Sequence, residues 1–164
     1  MAPFFNDNYR RISVREYARI VRITPPTASK ALEGMRKDGL LKMRKERSYN
    51  YYSANREDSL FLELSRAYWR AELERSGLVE HLAKELTDPL VVVFGSFAKA
   101  EVKADSDIDV AVFSPSMAGM DAGRFERRLG RRLHVFAFTG TGKVGSSELL
   151  DSIRNGFVIL GGWR

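Results

Sequence analysis

The chain has 164 residues, 44% hydrophobic and 29% charged, ample for one core or two small ones and too apolar for a disordered segment. It has no cysteine, which excludes disulfides, zinc fingers and thiol nucleophiles. The net charge of +6 is confined to one part: residues 1–58 hold 13 Lys and Arg against 7 Asp and Glu, whereas residues 59–164 hold 14 of each, so the first third is the part suited to a polyanion. No apolar run reaches membrane-spanning length and the start lacks a secretory apolar region, so a soluble, cytoplasmic protein without membrane contact is expected.

In chain order, Pro3 to Arg11 leaves little room for a full helix. From Ser13 to Ile23, Val14, Tyr17, Ala18 and Val21 fall at i, i+3, i+4 and i+7, the apolar face of a helix. Ser13 followed by Glu16 is a capping-box pair. Thr24-Pro25-Pro26 breaks the pattern, and a second helix is expected from Thr27 to Lys37, with Ala28, Ala31, Leu32 and Met35 inward. Asp38-Gly39 supplies a left-handed end. Leu40 to Tyr52 reads as two strands around a turn near Glu46-Arg47-Ser48.

Helix, short turn, helix and basic hairpin resemble the winged helix-turn-helix family, most closely over TPPTASKALEGMRKDGLLKM. The resemblance implies double-stranded DNA as partner. Thr27, Ser29 and Lys30 would enter the major groove with Pro26 at its mouth, and Lys42, Arg44, Lys45 and Arg47 on the wing would reach phosphates or a minor groove. The short segment before Ser13 departs from the family, so its usual first helix is truncated or replaced. The alternative use of such a domain is protein contact, including dimerisation.

Asp58-Ser59 reads as the N-cap of a connector helix whose stripe of Leu60, Phe61, Leu64, Tyr68 and Ala71 runs to Ser76-Gly77. This helix is a spacer or a homodimer contact. A further helix from Leu78 to Leu86 is stopped by Thr87-Asp88-Pro89.

The stretch Val91 to Phe113 is the most informative. An apolar strand ends in Gly95-Ser96, ten residues follow, and Asp107-Ile108-Asp109 opens a second apolar strand. Residues two apart on a strand share a face, so Asp107 and Asp109 project together. Two adjacent carboxylates call for a cation, and Mg²⁺ typically binds through one or two carboxylates plus substrate phosphates. Gly95-Ser96 would let the backbone approach those phosphates.

Gly-Ser, ten residues, Asp-x-Asp resembles the signature of the DNA polymerase β nucleotidyltransferase superfamily, and within it the minimal nucleotidyltransferases. Phe94, Ala98 and Ser106 match as flanking residues. The resemblance covers nearly all of residues 78–160. It implies Gly95 and Ser96 as nucleotide-binding residues, Asp107 and Asp109 as catalytic metal ligands, Mg²⁺ or Mn²⁺ as cofactor, and ATP or another NTP as substrate. Two positions depart from the family: Ala100 stands where glycine is usual, and His134 stands where a third carboxylate is common. His134 is a candidate general base or metal ligand, since an imidazole titrates near neutrality; a strand-end histidine in a site without chemistry is the other reading. Asp105, Asp121 and Glu126 are candidate substitutes for the carboxylate.

Asp121 to Arg132 is expected to form a basic helix. Gly140-Thr141-Gly142-Lys143 lacks the spacing of a phosphate-binding loop and reads as a turn. Ser146-Ser147-Glu148 caps a last helix to Arg154, and Phe157 to Leu160 closes the pattern as a strand.

The expected class is α+β: a winged helix-turn-helix over 1–58, a connector helix over 59–77 and a small mixed-sheet nucleotidyltransferase domain over 78–164. Two functions stay open. One is a DNA-binding enzyme transferring a nucleotide, AMP first, to a hydroxyl of an RNA or of a protein such as a partner HEPN toxin. The other is a DNA-binding transcriptional regulator whose nucleotidyltransferase domain is inert or only senses nucleotide.

Overall fold

The computed structural model describes residues 1–116 and 121–163. The chain divides into two compact units, Met1–Ser65 with Ala100–Ala104, and Arg66–Lys99 with Asp105–Arg164. The architecture is α+β, with a three-stranded and a four-stranded sheet. Among the described residues no helix is long and apolar enough to cross a membrane.

In the first unit, a short helix α1 (Ala2–Asn6) precedes a two-residue strand β1 (Ile12–Ser13). Helix α2 (Val14–Val21) is capped by Ser13, whose Oγ accepts from Glu16 N at 3.3 Å, and it ends at Arg22 in the left-handed conformation. Helix α3 (Pro25–Lys37) begins two residues earlier than the Pro-Pro pair suggests, with Thr24 as N-cap. First-turn N–H groups have no partner within a helix, so prolines there sacrifice nothing and set φ for the helix. Strands β2 (Leu41–Glu46) and β3 (Tyr49–Ala54) form an antiparallel hairpin, β1 pairs with the outer side of β3, and the order is β1-β3-β2. Phe4, Ile12, Ala28 and Leu32 are fully buried in this unit.

Residues 100–104 are held in the first unit by Asn8, which is 2% exposed. Its Oδ1 accepts from Val102 N at 2.7 Å and its backbone N donates to Val102 O at 2.8 Å. Its Nδ2 donates to Phe4 O at 2.7 Å. A buried polar side chain with these partners satisfied is stabilising, whereas losing it orphans the groups it served. Ala100 is buried with φ 52, the left-handed region that glycine occupies without strain.

Helix α4 (Ser59–Ser76) contributes its first residues to the first unit and the rest to the second. The second unit continues with α5 (Leu78–Glu85), β4 (Leu90–Phe94), β5 (Ile108–Phe113), α6 (Gly123–Leu129), β6 (Leu133–Phe138), α7 (Ser147–Arg154) and β7 (Phe157–Leu160). The sheet order is β6-β5-β4-β7, parallel between β5 and β6 and antiparallel elsewhere. Helix α6 is shorter than the expected Asp121–Arg132 because Gly130 takes a left-handed conformation (φ 63), and its N–H bonds back to Glu126 O. A single 3-10 turn occupies Thr141–Lys143.

The sheet has two different faces. Leu90, Val92, Phe94, Ala111 and Phe113 share one face with Ile153 of α7, and Phe136 and Phe138 pack beside them. Val91, Val93, Ile108, Val110 and Val112 alternate onto the other face and are all buried. Asp109 belongs by alternation to the first face, at the end where the apolar cluster gives way to polar side chains.

Candidate active site

Strand β4 ends at Phe94, and Gly95 turns the chain with φ 69. A Cβ at Gly95 would lie 2.4 Å from Asp109 Oδ2, so only glycine lets this carboxylate rest against the turn. The register explains the approach: Phe94 pairs with Asp109 across β4 and β5. Asp109 in turn pairs with His134 across the parallel β5 and β6.

Asp107 precedes β5 by one residue and shares the parity of Asp109. The Asp107 side chain is 48% exposed and that of Asp109 is 28% exposed. His134 Nδ1 lies 3.3 Å from Asp109 Oδ1, and Arg132 Nε lies 3.9 Å from Asp107 Oδ1. The His134 ring rests 4.2 Å from Phe136, which packs edge-on to Phe94 at 5.3 Å. The site is therefore a pair of carboxylates at one end of an aromatic floor, with a cationic or polar side chain beside each.

Burial pushes the Asp109 carboxyl above its usual range; His134 opposes the shift and the negative charge of Asp107 adds to it. A carboxylate that is half-desolvated and faces a like charge gains from a cation. Among the described residues no group of three or more His, Asp or Glu is placed to enclose a metal. Two carboxylates on one face still fit a Mg²⁺ ion, which completes its shell with substrate phosphates and water instead of a protein cage.

Two of the candidate substitutes for a third carboxylate are engaged elsewhere. Glu126 Oε1 accepts from Leu133 N at 2.8 Å, and Asp121 Oδ1 accepts from Gly123 N at 3.0 Å, so both serve the ends of local elements. Asp105 is exposed. His134 reaches Asp109, as its position in the Leu133–Phe138 strand implies. Arg132 is a neighbour that the sequence pattern groups with a basic helix. The β5–β6 register places it beside Asp107, and its alternation with His134 is the signal that could have found it.

In the first unit Thr27, Ser29 and Lys30 are exposed on the first turns of α3, while Ala28 between them is buried. Thr27 Oγ1 is 2.8 Å from Thr24 Oγ1. The wing residues are not one patch. Along β2, Lys42, Arg44 and Glu46 alternate with Leu41, Met43 and Lys45, so Arg44 and Lys45 face opposite ways. Glu46 is paired with Arg11 and lies 3.9 Å from Arg44, and Lys42 is bound to Glu57 at 2.5 Å. Much of the positive charge on that face is thus matched by carboxylates. Arg47 sits at the exposed hairpin tip with φ 54.

No curated protein matches the chain. A family match does cover this site: residues 76–137, which include Gly95, Ser96, Asp107, Asp109 and His134, match the model of the nucleotidyltransferase domain.

Proposed function

We propose that the second unit transfers a nucleotide, AMP in the first instance, from NTP·Mg²⁺ to a hydroxyl of a protein or RNA acceptor, the hydroxyl oxygen replacing pyrophosphate on the α-phosphorus, and that the first unit binds duplex DNA. The observation supporting the transfer is the geometry of Asp109, lodged against the Gly95 turn beside Asp107 within the matched segment. Asp107 and Asp109 would hold a divalent ion, which would neutralise charge on the triphosphate. The Gly95–Ser96 turn lets backbone groups approach the phosphates without a side chain intervening. His134 turns Nδ1 toward Asp109 Oδ1 at 3.3 Å, so Nε2 is the nitrogen left to accept the proton of the attacking hydroxyl. The same carboxylate thereby orients the base and holds the metal.

Labelled ATP with Mg²⁺ and candidate acceptors, including RNA and a HEPN-type protein, tests this reading. Wild type is expected to transfer label. Asp107→Ala/Asp109→Ala should lose binding of Mg·ATP by calorimetry, and His134→Ala should keep binding while losing transfer by about 10²–10⁴-fold, the range of general base catalysis. Equal nucleotide binding by wild type and the double variant would sink the proposal. His134 in place of a carboxylate favours a second reading, a DNA-binding regulator with a silent nucleotidyltransferase domain. A silent wild type and an active His134→Asp variant would select it.

The arrangement α2, short turn, α3 and hairpin supports the winged-helix reading of the first unit, together with its excess charge. Duplex affinity should fall as salt rises. Lys45→Ala/Arg47→Ala should weaken binding to all duplexes and flatten the log–log salt slope by about 1 for each phosphate no longer neutralised. Lys30→Ala should change sequence preference by about 1–3 kcal/mol at one base pair with little change of slope. An electrophoretic shift series across salt decides, and a wild type that shifts no duplex at low salt makes this unit a protein-contact module.

A further inference from the structure

We propose that the cleft between α5 and α6 is a second anion site, built to take a phosphate group. The cleft has a volume of 300 Å³, and none of its lining residues belongs to the Gly95–Asp109 site. Lys84, Arg124 and Arg128 line it against a single carboxylate, Glu80. Glu80 is engaged with Lys84 at 2.6 Å on its own helix. The two arginines on the opposite wall are held by neutral groups. The Arg124 guanidinium lies 4.4 Å over the ring of Phe125, which is itself buried. Arg128 Nη1 donates to Ser76 O at 2.9 Å.

This differs from a solvated basic face. Arg36 and Arg70, for example, are paired with Glu33 and Glu74 on their own helices, as Lys84 is with Glu80, which cancels their charge locally and leaves Arg124 and Arg128 as the uncompensated cations of the cleft. A ring face and a carbonyl fix Arg124 and Arg128 in place without adding a formal negative charge. Their guanidinium forks are preorganised for planar, bidentate contact with phosphate oxygens, so less side-chain entropy is lost on binding. His81, with its ring 5.3 Å from Phe125, lines the same cleft. The ligand chemistry is a phosphate group, carried by a free pyrophosphate or nucleotide or by a nucleic-acid strand.

The test uses the full chain with Asp107→Ala/Asp109→Ala in EDTA, so that metal-dependent binding at the other site is silent and the outcome is independent of nucleotide transfer. Inorganic pyrophosphate is titrated by calorimetry, and a short single-stranded oligonucleotide by fluorescence anisotropy. Saturable binding is expected, weakened about tenfold or more by Arg124→Glu and by Lys84→Glu, as for loss of one charge-assisted hydrogen bond. Arg124→Lys should recover only part of it. Both replaced side chains are exposed, and an unchanged Tm shows that the fold is retained. Pyrophosphate binding with this pattern identifies a free phosphate ligand; oligonucleotide binding with this pattern and weak pyrophosphate binding identifies a strand. Affinities for both ligands that are absent, or unmoved by Arg124→Glu and Lys84→Glu, overturn the proposal.

Discussion

Gly95→Ala is expected to remove nucleotide transfer from a chain that still folds. The substitution acts twice. It forces a Cβ into a φ of 69, which costs about 1–2 kcal/mol for an L-residue. It also sets that Cβ 2.4 Å from Asp109 Oδ2, so the carboxylate must swing away from the turn. If Asp109 acts as proposed, displacing its carboxylate by about an ångström lowers turnover by roughly 10²-fold. The strain alone lowers Tm by about 2–8 °C in a chain of this size. Measured together, kcat/KM should collapse while Tm falls modestly. Turnover within a few-fold of wild type would show that Asp109 does not act from the position it occupies against Gly95.

Trp69→Ala carries the largest expected effect on stability. The indole is 1% exposed. It packs edge-on to Phe97 at 4.6 Å and to Tyr68 at 5.3 Å, with the Arg131 guanidinium 5.7 Å from its ring. Truncation leaves a cavity and should cost about 3–5 kcal/mol, a large share of the roughly 5–15 kcal/mol that holds a typical domain folded. Phe97 follows the Gly95–Ser96 turn directly, so the same change loosens the support of the site. Urea unfolding followed by circular dichroism reads the loss as a lower midpoint. A midpoint equal to that of wild type would mean that Trp69 is not a keystone of the second unit.

Local signals are legible where short-range physics decides them. Ser13 as the cap of α2 and Gly39 after α3 describe the structure correctly because neighbours in sequence set those geometries. The start of α3 is misplaced by sequence pattern because a proline pair is a breaker inside a helix and a starter at its first turn. The end of α6 turns on Gly130, one residue within an otherwise helical run. The contact of His134 with Asp109 depends on parallel pairing of β5 and β6, which no local pattern encodes. The separation of Arg44 from Lys45 does follow from strand alternation, but grouping the wing by charge alone hides it. The role of Asn8 is invisible for the same reason as the β5–β6 register: its partner Val102 lies 94 residues away.

That pairing of Asn8 with Val102 sets an order of events during synthesis. The chain passes between the two units three times, after residues 65, 99 and 104. Residues 1–65 therefore emerge from the ribosome without the segment that Asn8 binds. At about 5–20 residues per second, the wait for residue 104 is roughly 2–8 s. By then Gly95 and Ser96 have been translated, and Asp107 follows within a second. The N-terminal unit completes itself only as the two halves of the other unit's motif come into being, so neither can be excised from the gene as one uninterrupted stretch.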